Sequence, residues 1–146
     1  MKIHTLYSDQ YATSYYNPDL LLLETYWKKP TEDMTNANYQ MVLLDTLDEL
    51  ERGIQQHGWR FDKMIADNRQ FLFIMSPRLQ EWQTKYIFNK LLGYGLKKTA
   101  IVMSKAFTSQ FSIEQTFEES PETNEITKYF DDIQEARNWI VSEKVT

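Results

Sequence analysis

The chain has 146 residues, but no cysteine, only two histidines, four glycines and four prolines. The lack of cysteine excludes disulfide bonds, thiolate nucleophiles and cysteine-ligated zinc. Neither His4 nor His57 lies in an HExxH pattern or another local ligand spacing, and we interpret both as surface residues. The glycines form neither GxGxxG nor a phosphate-binding loop, and we interpret them as helix stops. No cofactor, metal site or catalytic group follows from these residues.

Long apolar runs and excess positive charge are also missing. No segment approaches membrane-spanning length, and "MKIHTLYSDQ" lacks the apolar core of a signal peptide, so we expect a cytoplasmic protein with no membrane span. The formal net charge is −5. The only basic pairs, Lys28-Lys29 and Lys97-Lys98, are interpreted as charged strand ends or edges. Nucleic acid is therefore not predicted as a partner.

What is present suits one domain over residues 1–146, because 42% of the residues are hydrophobic. Periodicity and breaker residues predict an alternation of strands and helices. This alternation predicts an α/β fold: a mixed sheet with antiparallel N-terminal strands and parallel crossover strands, flanked by about four helices. The predicted order is strands at 2–8, 12–17 and 20–29, a helix at 35–57, a strand at 62–67, a helix from Ser76 to Gly95, a strand at 97–104, a helix from Ser112, a polar loop at 118–125, a strand at 126–130 and a helix at 131–143.

Local signals predict where the helices begin and end. Ser76 followed by Pro77 is typical of an N-cap and a first helical position, because proline there loses no needed N–H. The other predicted ends are Gly58, Gly93 and Gly95 as C-terminal stops, and Ser112 and Asp132 as the first residues of capping boxes.

Polar residues follow the predicted crossover strands or begin the helix after them. Ligands of open α/β sheets bind beyond the carboxyl ends of the strands, so these residues are a candidate site for an anion or a protein partner. A helix N-terminus in such a patch would stabilise an anionic ligand or a phosphoryl group. The alternative interpretation is that loop residues are simply polar. This polar strand-end group consists of Asp67, Asn68, Arg69, Ser76, Arg78, Ser104 and Lys105.

Aromatic residues are dense in the N-terminal third. They are able to line an apolar ligand cavity or build a partner surface, and ordinary core and cross-strand packing is the alternative. The residues concerned are Tyr7, Tyr11, Tyr15, Tyr16, Tyr26, Trp27 and Tyr39.

With this element order, four segments carry a family resemblance: "YWKKPT", "FDKMIADNRQF", "LKKTAIVMS" and "KYFDDIQEARNWI". Over about Leu20 to Val141 the chain resembles the STAS-like family related to bacterial anti-sigma-factor antagonists, in its prokaryotic branch of single-domain proteins. The resemblance implies a core sheet flanked by helices. It also implies a regulatory or binding role more than catalysis.

In the antagonists, a partner kinase phosphorylates a serine at the start of a helix that follows a sheet strand. By position this turn falls on "IMSPRLQ", which makes Ser76 the candidate phosphorylation site and aligns Leu79 with the family leucine. Met75 replaces the acidic residue of the family turn, while Pro77 and Arg78 replace its small residues. A fixed, capped helix start fits these substitutions better than a phosphorylation switch.

Three functional hypotheses follow. The first is a non-enzymatic cytoplasmic regulatory or interaction module that binds a protein partner. The second is a small-molecule binding protein for a lipid-like, apolar ligand or an anionic, nucleotide-like one. The third is an enzyme that uses Asp67 as a general acid or base, although no second catalytic residue can be named beside it. Homodimerisation through a strand edge or an aromatic helix face stays open.

Overall fold

A computed structural model describes residues 2–142. The predicted end of the last helix, at Glu143, lies outside this range. A 3₁₀ turn at Lys29–Asp33 precedes the first long helix, and a π-helical turn at Thr84–Phe88 joins the second and third. The regular elements are β1 (His4–Ser8), β2 (Ala12–Asn17), β3 (Leu22–Trp27), α1 (Asn36–His57), β4 (Lys63–Asp67), α2 (Pro77–Gln83), α3 (Asn89–Tyr94), β5 (Lys98–Val102), α4 (Phe107–Glu118), α5 (Pro121–Glu125), β6 (Thr127–Phe130) and α6 (Ile133–Val141).

The six strands form one sheet in chain order, from β1 to β6. β1, β2 and β3 pair in antiparallel fashion, since short turns connect them. β3, β4, β5 and β6 pair in parallel, and helical crossovers connect them. The predicted α/β fold with a mixed sheet is therefore confirmed.

Helices cover both faces of the sheet. Since consecutive parallel strands are also neighbours, crossovers of one hand place α1, α2, α3 and α4 on the same face. The larger core lies on that face and includes Leu50, Phe88 and Ile101. α6 packs on the opposite face against β4, β5 and β6 over a smaller core that includes Ile65 and Ile140. Along β3, β4, β5 and β6, alternate side chains belong to the two cores.

Four predicted helix ends are confirmed. The Ser76 hydroxyl accepts a hydrogen bond from the Leu79 N–H at 3.3 Å. The Asp132 carboxylate caps α6 in the same way, with the Glu135 N–H at 3.0 Å. Gly58 and Gly95 follow α1 and α3 in the left-handed region that glycine adopts without a steric penalty.

The prediction for α4 is wrong at its start. The helix begins at Phe107, and Ser112 lies inside it instead of capping it. The physical reason is an inverted amphipathic pattern: Ser112 is buried and accepts a hydrogen bond from the Met75 N–H at 3.0 Å, whereas Phe107 is 85% exposed. A prediction that places apolar residues on the buried side of a helix therefore misplaces this one.

The polar stretch at 118–125, predicted as a loop, contains the short helix α5. Pro121 occupies a first-turn position after Ser120, the same arrangement that begins α2. The loop prediction is therefore corrected, because the composition of the stretch hides its Ser-Pro start signal.

Two glycines interpreted as helix stops lie within helices. Gly53 lies inside α1, and a Cβ atom there would overlap the ring of Trp59, which folds back over the helix. Gly93 lies inside α3 with open space around it. The lack of a side chain at Gly53 therefore allows the Trp59 ring to pack against α1.

The interpretation of Lys97-Lys98 as a charged strand end is confirmed, because β5 begins at Lys98. The edge alternative is wrong, because Lys98 is buried in an interior strand. β5 lies between β4 and β6. Lys98 Nζ donates hydrogen bonds to the carbonyl oxygens of Trp139 at 2.6 Å and Ser142 at 2.8 Å, at the C-terminal end of α6. A cation there complements the negative end of the helix dipole. Burial lowers the pKa of Lys98, and the nearby lysines of β4 and β6 lower it further.

Candidate functional site

Asp67 and Arg69, from the polar strand-end group, form an ion pair at the end of β4. Arg69 Nε lies 3.0 Å from Asp67 Oδ1 and Arg69 Nη2 lies 2.7 Å from Asp67 Oδ2, a two-point contact. The hydrogen bond to Asp67 raises the pKa of Arg69. Because strand side chains alternate, Asp67 shares the α6 face of the sheet with Ile65. Both oxygens of this carboxylate are thus engaged within the chain.

A second arginine–carboxylate pair lies beside the first. Glu24, on β3, is buried and accepts hydrogen bonds from Arg137 Nη2 at 2.6 Å and from the Tyr26 hydroxyl at 2.7 Å. Burial and the contact with Glu24 raise the pKa of Tyr26, so its hydroxyl remains a donor. Tyr26 is also the neighbour of Asp67 across the parallel pair of β3 and β4. These pairs tie α6 and the strand ends together.

Asn68 and Ser104 come together where β4 and β5 end. The Asn68 N–H donates to the Val102 carbonyl at 2.9 Å, which continues the pairing of the two strands. The Ser104 hydroxyl donates to the Phe71 carbonyl at 2.6 Å and accepts from the Ala106 N–H at 3.1 Å. Lys105, the next residue, is exposed. Ser104 therefore holds two loops together.

Ser76 and Arg78 lie at the start of α2, and the hydrogen bonds there leave little for an anion. Pro77 has no N–H, and Ser76 accepts the N–H of Leu79. Of the first three residues of the helix, only Arg78 therefore has a backbone N–H available to an anion. The side chain of Arg78 is exposed. Within residues 2–142, neither Ser76 nor Arg78 is bonded to the Asp67–Arg69 pair. The anion site stays a prediction.

Small side chains lie side by side across three strands on the face that the crossover helices cover. Ser14 on β2 pairs with Thr25 on β3, and Thr25 pairs with Ala66 on β4. We call these three residues the small-residue row. Thr25 and Ala66 lie in the middle of the sheet beneath helices, yet both are only half-buried. Their side chains are too short to reach the helices above.

The gap above Thr25 and Ala66 is a cavity of about 80 Å³. β3, β4 and β5 form its floor, and α1, the α2–α3 segment and α4 form its roof. Its wall is mostly aliphatic and aromatic, and among the described residues no charged side chain lines it. Representative wall residues are Leu23, Trp27, Tyr39, Met64, Met75 and Phe88.

The threonine hydroxyls of the cavity wall are bonded within the chain, whereas one buried polar atom of a wall residue has no partner among the described residues. The hydroxyls of Thr46 and Thr116 donate to carbonyl oxygens one turn earlier in their helices, both at 2.7 Å. Thr25 shares a hydrogen bond of 3.0 Å with Ser14. The exception is Asn68, whose buried Oδ1 has no partner among the described residues. Unpaired buried polar atoms are rare in proteins, because each costs free energy.

Tyr39 supplies the remaining polar contact of the wall. Its hydroxyl donates to Gln83 Oε1 at 2.6 Å. Burial raises the pKa of Tyr39 well above its ordinary value, so the hydroxyl stays protonated and keeps donating. The Tyr39 ring stacks on Trp27 and Phe73, with centroids 5.4 Å apart in each case. The Tyr39 ring of the wall is therefore packed against two other aromatic rings.

The π-helical turn borders the cavity. Gln83, Ile87 and Phe88 lie in or next to this turn, and all three line the wall. A π-turn carries an extra residue in the helix, and such turns are frequent at functional sites. Of the N-terminal aromatics named above, Trp27 and Tyr39 line the cavity, whereas Tyr16 stacks on Trp59 at 4.4 Å elsewhere in the core.

Asn68 is the member of the polar strand-end group that the structure places in the cavity wall. The sequence contains no local signal for the other residues of the cavity wall, because Thr25, Ala66 and Gln83 come from separate elements. Their proximity depends on strand register. Alternation along β4 nevertheless separates Asn68 from Asp67, so adjacent residues point to opposite faces.

Neither a metal cluster nor a membrane-spanning helix occurs between residues 2 and 142. No three histidine or acidic side chains there come close enough to hold an ion. No helix in that range is both long and apolar enough to cross a membrane. His4 is half-buried against Trp59, with centroids 4.8 Å apart, so the prediction of a surface residue holds only for the exposed His57.

Comparison with known proteins gives no relative. No family model, no curated protein and no solved structure matches the chain.

Proposed function

We propose that the chain is a non-enzymatic binding protein that holds a small, uncharged and largely apolar ligand in the cavity. The observation that carries this proposal is the accessible surface of Thr25 and Ala66 beneath the helices. Protein interiors are packed as densely as organic crystals, and a void of about 80 Å³ costs stability. A ligand that fills the void would recover this loss.

The character of the wall argues for an uncharged ligand. An ion in an apolar site without a counter-charge loses its hydration, at a cost of several kcal/mol or more. This consideration favours the apolar form of the predicted ligand over the anionic, nucleotide-like form. It also separates the cavity from the proposed catalytic use of Asp67, which lies on the other face of the sheet and is paired with Arg69.

A second candidate function is the binding of a protein partner, in the regulatory role that the STAS-like resemblance implies. The observation that favours it is a pair of exposed aromatic residues at the start of α4. Phe107 is 85% exposed and Phe111 is 54% exposed, and their rings stack with centroids 6.4 Å apart. Ile74, 54% exposed, precedes Met75, whose N–H is bonded to α4. Exposed apolar groups of this kind are typical of interaction surfaces.

Xenon binding tests the first proposal, because xenon enters dry apolar cavities without needing a polar partner. The protein would be labelled at its methionine methyl groups and observed by NMR under xenon pressure. We expect the Met64 and Met75 signals to shift, since both residues line the cavity. Met41, 49% exposed on α1, serves as the internal reference. Shifts of Met41 alone, or no shift at all, would contradict the proposal.

The partner proposal has a separate test. The double variant Phe107→Ser, Phe111→Ser should lose a stoichiometric partner that the wild-type protein recovers from extracts of its native cells. Its xenon response should be unchanged, because neither residue lines the cavity. Equal recovery by both proteins would contradict this second proposal.

A further inference from the structure

The two segments that follow β4 and β5 carry an exposed apolar surface with a basic border. We infer that this surface binds a short acidic segment of a partner protein, one that carries large apolar side chains between its carboxylates. This inference rests on the second candidate function, the binding of a protein partner, and adds the chemistry of that partner. We call the surface the carboxyl-edge patch, and it consists of Ile74, Arg78, Lys105, Phe107 and Phe111.

The apolar part of the carboxyl-edge patch is continuous across the two segments. The rings of Phe107 and Phe111 stack with their planes 5° apart. The chain at Ile74 runs next to this pair, because the N–H of Met75 donates to the Ser112 hydroxyl at 3.0 Å. Among the large apolar side chains that the structure describes, the three in the patch have the greatest exposed fractions, from 54% to 85%. Exposed apolar groups concentrated in this way mark an interaction surface.

The same two segments carry positive charge and no negative charge. Residues 68–78 and 103–111 contain Arg69, Arg78 and Lys105 but no aspartate or glutamate. Acidic residues number 21 among the 146 of the chain, so these twenty positions would hold about three at the average frequency. The patch is therefore locally basic, although the formal net charge of the chain is −5.

Two of the three cations are available to a partner. Arg69 is already held in the two-point ion pair at the end of β4. Arg78 and Lys105 are exposed, and neither forms an ion pair with another described residue. The first carboxylates further along α2 and α4 belong to Glu81 and Glu114, which come after the patch in each helix. Carboxylates of a partner would therefore meet two unpaired cations, and charge-assisted hydrogen bonds to them are strong.

The size and charge of the patch favour a short segment over a second copy of this chain or a membrane. A stable interface between two folded proteins takes about 20–30 residues a side, far more than the patch contains. Anionic membranes recruit clusters of about 4–8 basic residues, whereas two unpaired cations are present here. A short acidic segment meets only the charges within a screening length of about 8 Å, so the distant acidic residues of the chain oppose it little.

Selection from a display library of short random peptides tests this inference. The wild-type protein should enrich peptides that combine aspartate or glutamate with large apolar residues. The Phe107→Ser, Phe111→Ser double variant should lose this enrichment. The Arg78→Glu, Lys105→Glu double variant should enrich basic peptides instead, because it reverses the charge of the border and leaves the rings in place.

Lys2→Glu, Lys97→Glu is the matched control for charge. Both lysines are exposed and lie at the opposite end of the sheet, before β1 and β5. This variant makes the same change in net charge, so it should keep the wild-type preference for acidic peptides. All the substituted side chains are exposed, so every variant should fold, and circular dichroism checks this.

A synthetic peptide with the enriched sequence gives the magnitude. Its dissociation constant should be about tenfold higher for Arg78→Glu, Lys105→Glu than for the wild type at about 0.01 M salt, and the difference should nearly vanish at about 1 M salt. Salt has this effect on exposed charges because it shortens the screening length from about 30 Å to about 3 Å.

Three results of the selection would contradict the inference. They are no enrichment by the wild type, enriched peptides without an excess of acidic residues, and an acidic preference that persists in Arg78→Glu, Lys105→Glu. Vesicles of phosphatidylcholine and phosphatidylserine are the probe for a membrane. Vesicle binding by the wild type that both patch variants lose would assign the patch to a membrane and overturn the inference.

Recovery of a partner from extracts of the native cells separates this inference from the function on which it rests. If recovery requires Phe107 and Phe111 but survives Arg78→Glu, Lys105→Glu, the protein partner remains and its acidic chemistry is wrong. If recovery survives both double variants, the second candidate function is itself wrong. Loss in both of these variants, but not in the lysine control, supports both proposals.

Discussion

Filling the cavity should stabilise the protein. Ala66→Ile adds three carbon atoms near the carboxyl end of β4, directed at a gap of about 80 Å³. At about 24 cal/mol per Å³, an empty cavity of this size costs about 2 kcal/mol. Burying three carbon atoms at about 0.8 kcal/mol each gives a similar figure, and fixing the isoleucine rotamer returns about 0.5–1 kcal/mol of it. We expect a net gain of about 1–2 kcal/mol in the free energy of unfolding.

Ala100→Ile is the matched control for this prediction. Ala100 lies on the neighbouring strand β5, is fully buried and packs against the α6 core. The same three carbon atoms would overpack this site and cost about 1–3 kcal/mol. Urea unfolding followed by circular dichroism measures both effects, and thermal unfolding should show Ala66→Ile about 2–8 °C above the wild type. A loss of stability of equal size in both variants would refute the reasoning, because it would mean that the space above Ala66 is already filled.

Three further predictions concern helix ends, glycines and a buried hydroxyl. Ser76→Ala should lower the free energy of unfolding by about 1 kcal/mol, because it removes the N-cap of α2. Ser76→Asn should keep most of the wild-type stability, since asparagine also caps helices. Equal losses in urea unfolding would contradict the role of Ser76 as a cap. Gly53→Ala should lower the free energy of unfolding by about 1–3 kcal/mol, because the new methyl group forces the Trp59 ring aside. Gly93→Ala should raise it by about 0.5–1 kcal/mol, because alanine favours the helix and the space there is open. Changes of the same sign in the two variants would contradict this difference. The pKa of Tyr39 is raised above its ordinary 10.0, so ionisation favours the unfolded state and wild-type stability should fall as the pH rises above about 10. Tyr39→Phe should be less stable than the wild type at pH 7 but lose less stability above pH 10. If stability falls with pH above 10 equally steeply in both proteins, this prediction is wrong.

Several features of the fold were predictable because their signals are local. Ser76-Pro77, Asp132 and the left-handed glycines Gly58 and Gly95 act within a few residues of their position. The alternation of strands and helices has the same local origin and sets the fold class. Right predictions therefore follow wherever local propensity and tertiary packing agree.

Other features depend on contacts that a short window does not contain. α4 buries Ser112 and exposes Phe107, so its packing opposes its hydrophobic pattern. Gly53 matters because of a ring six residues later in the chain that returns across the helix. Burial of Lys98 depends on α6, the fourth element after β5 in the chain.

The candidate site was predicted least well, for the same reason. Thr25 and Ala66 are ordinary strand residues until the register of β3 and β4 places them side by side. Asn68 was predicted as part of a polar patch, because its position after a strand is visible in the sequence. Its place in the wall of an apolar cavity follows from the alternation that turns Asp67 to the other face.

The most direct measurement of the central claim is the mass of the protein isolated from its native cells, recorded under native and under denaturing conditions. A wild-type protein and the Ala66→Ile variant would be prepared in parallel. The account predicts a small added mass on the wild type under native conditions only, and none on the variant, whose cavity is filled. No added mass on the wild type, or the same added mass on both proteins, would contradict the claim that the cavity above Ala66 is a ligand site.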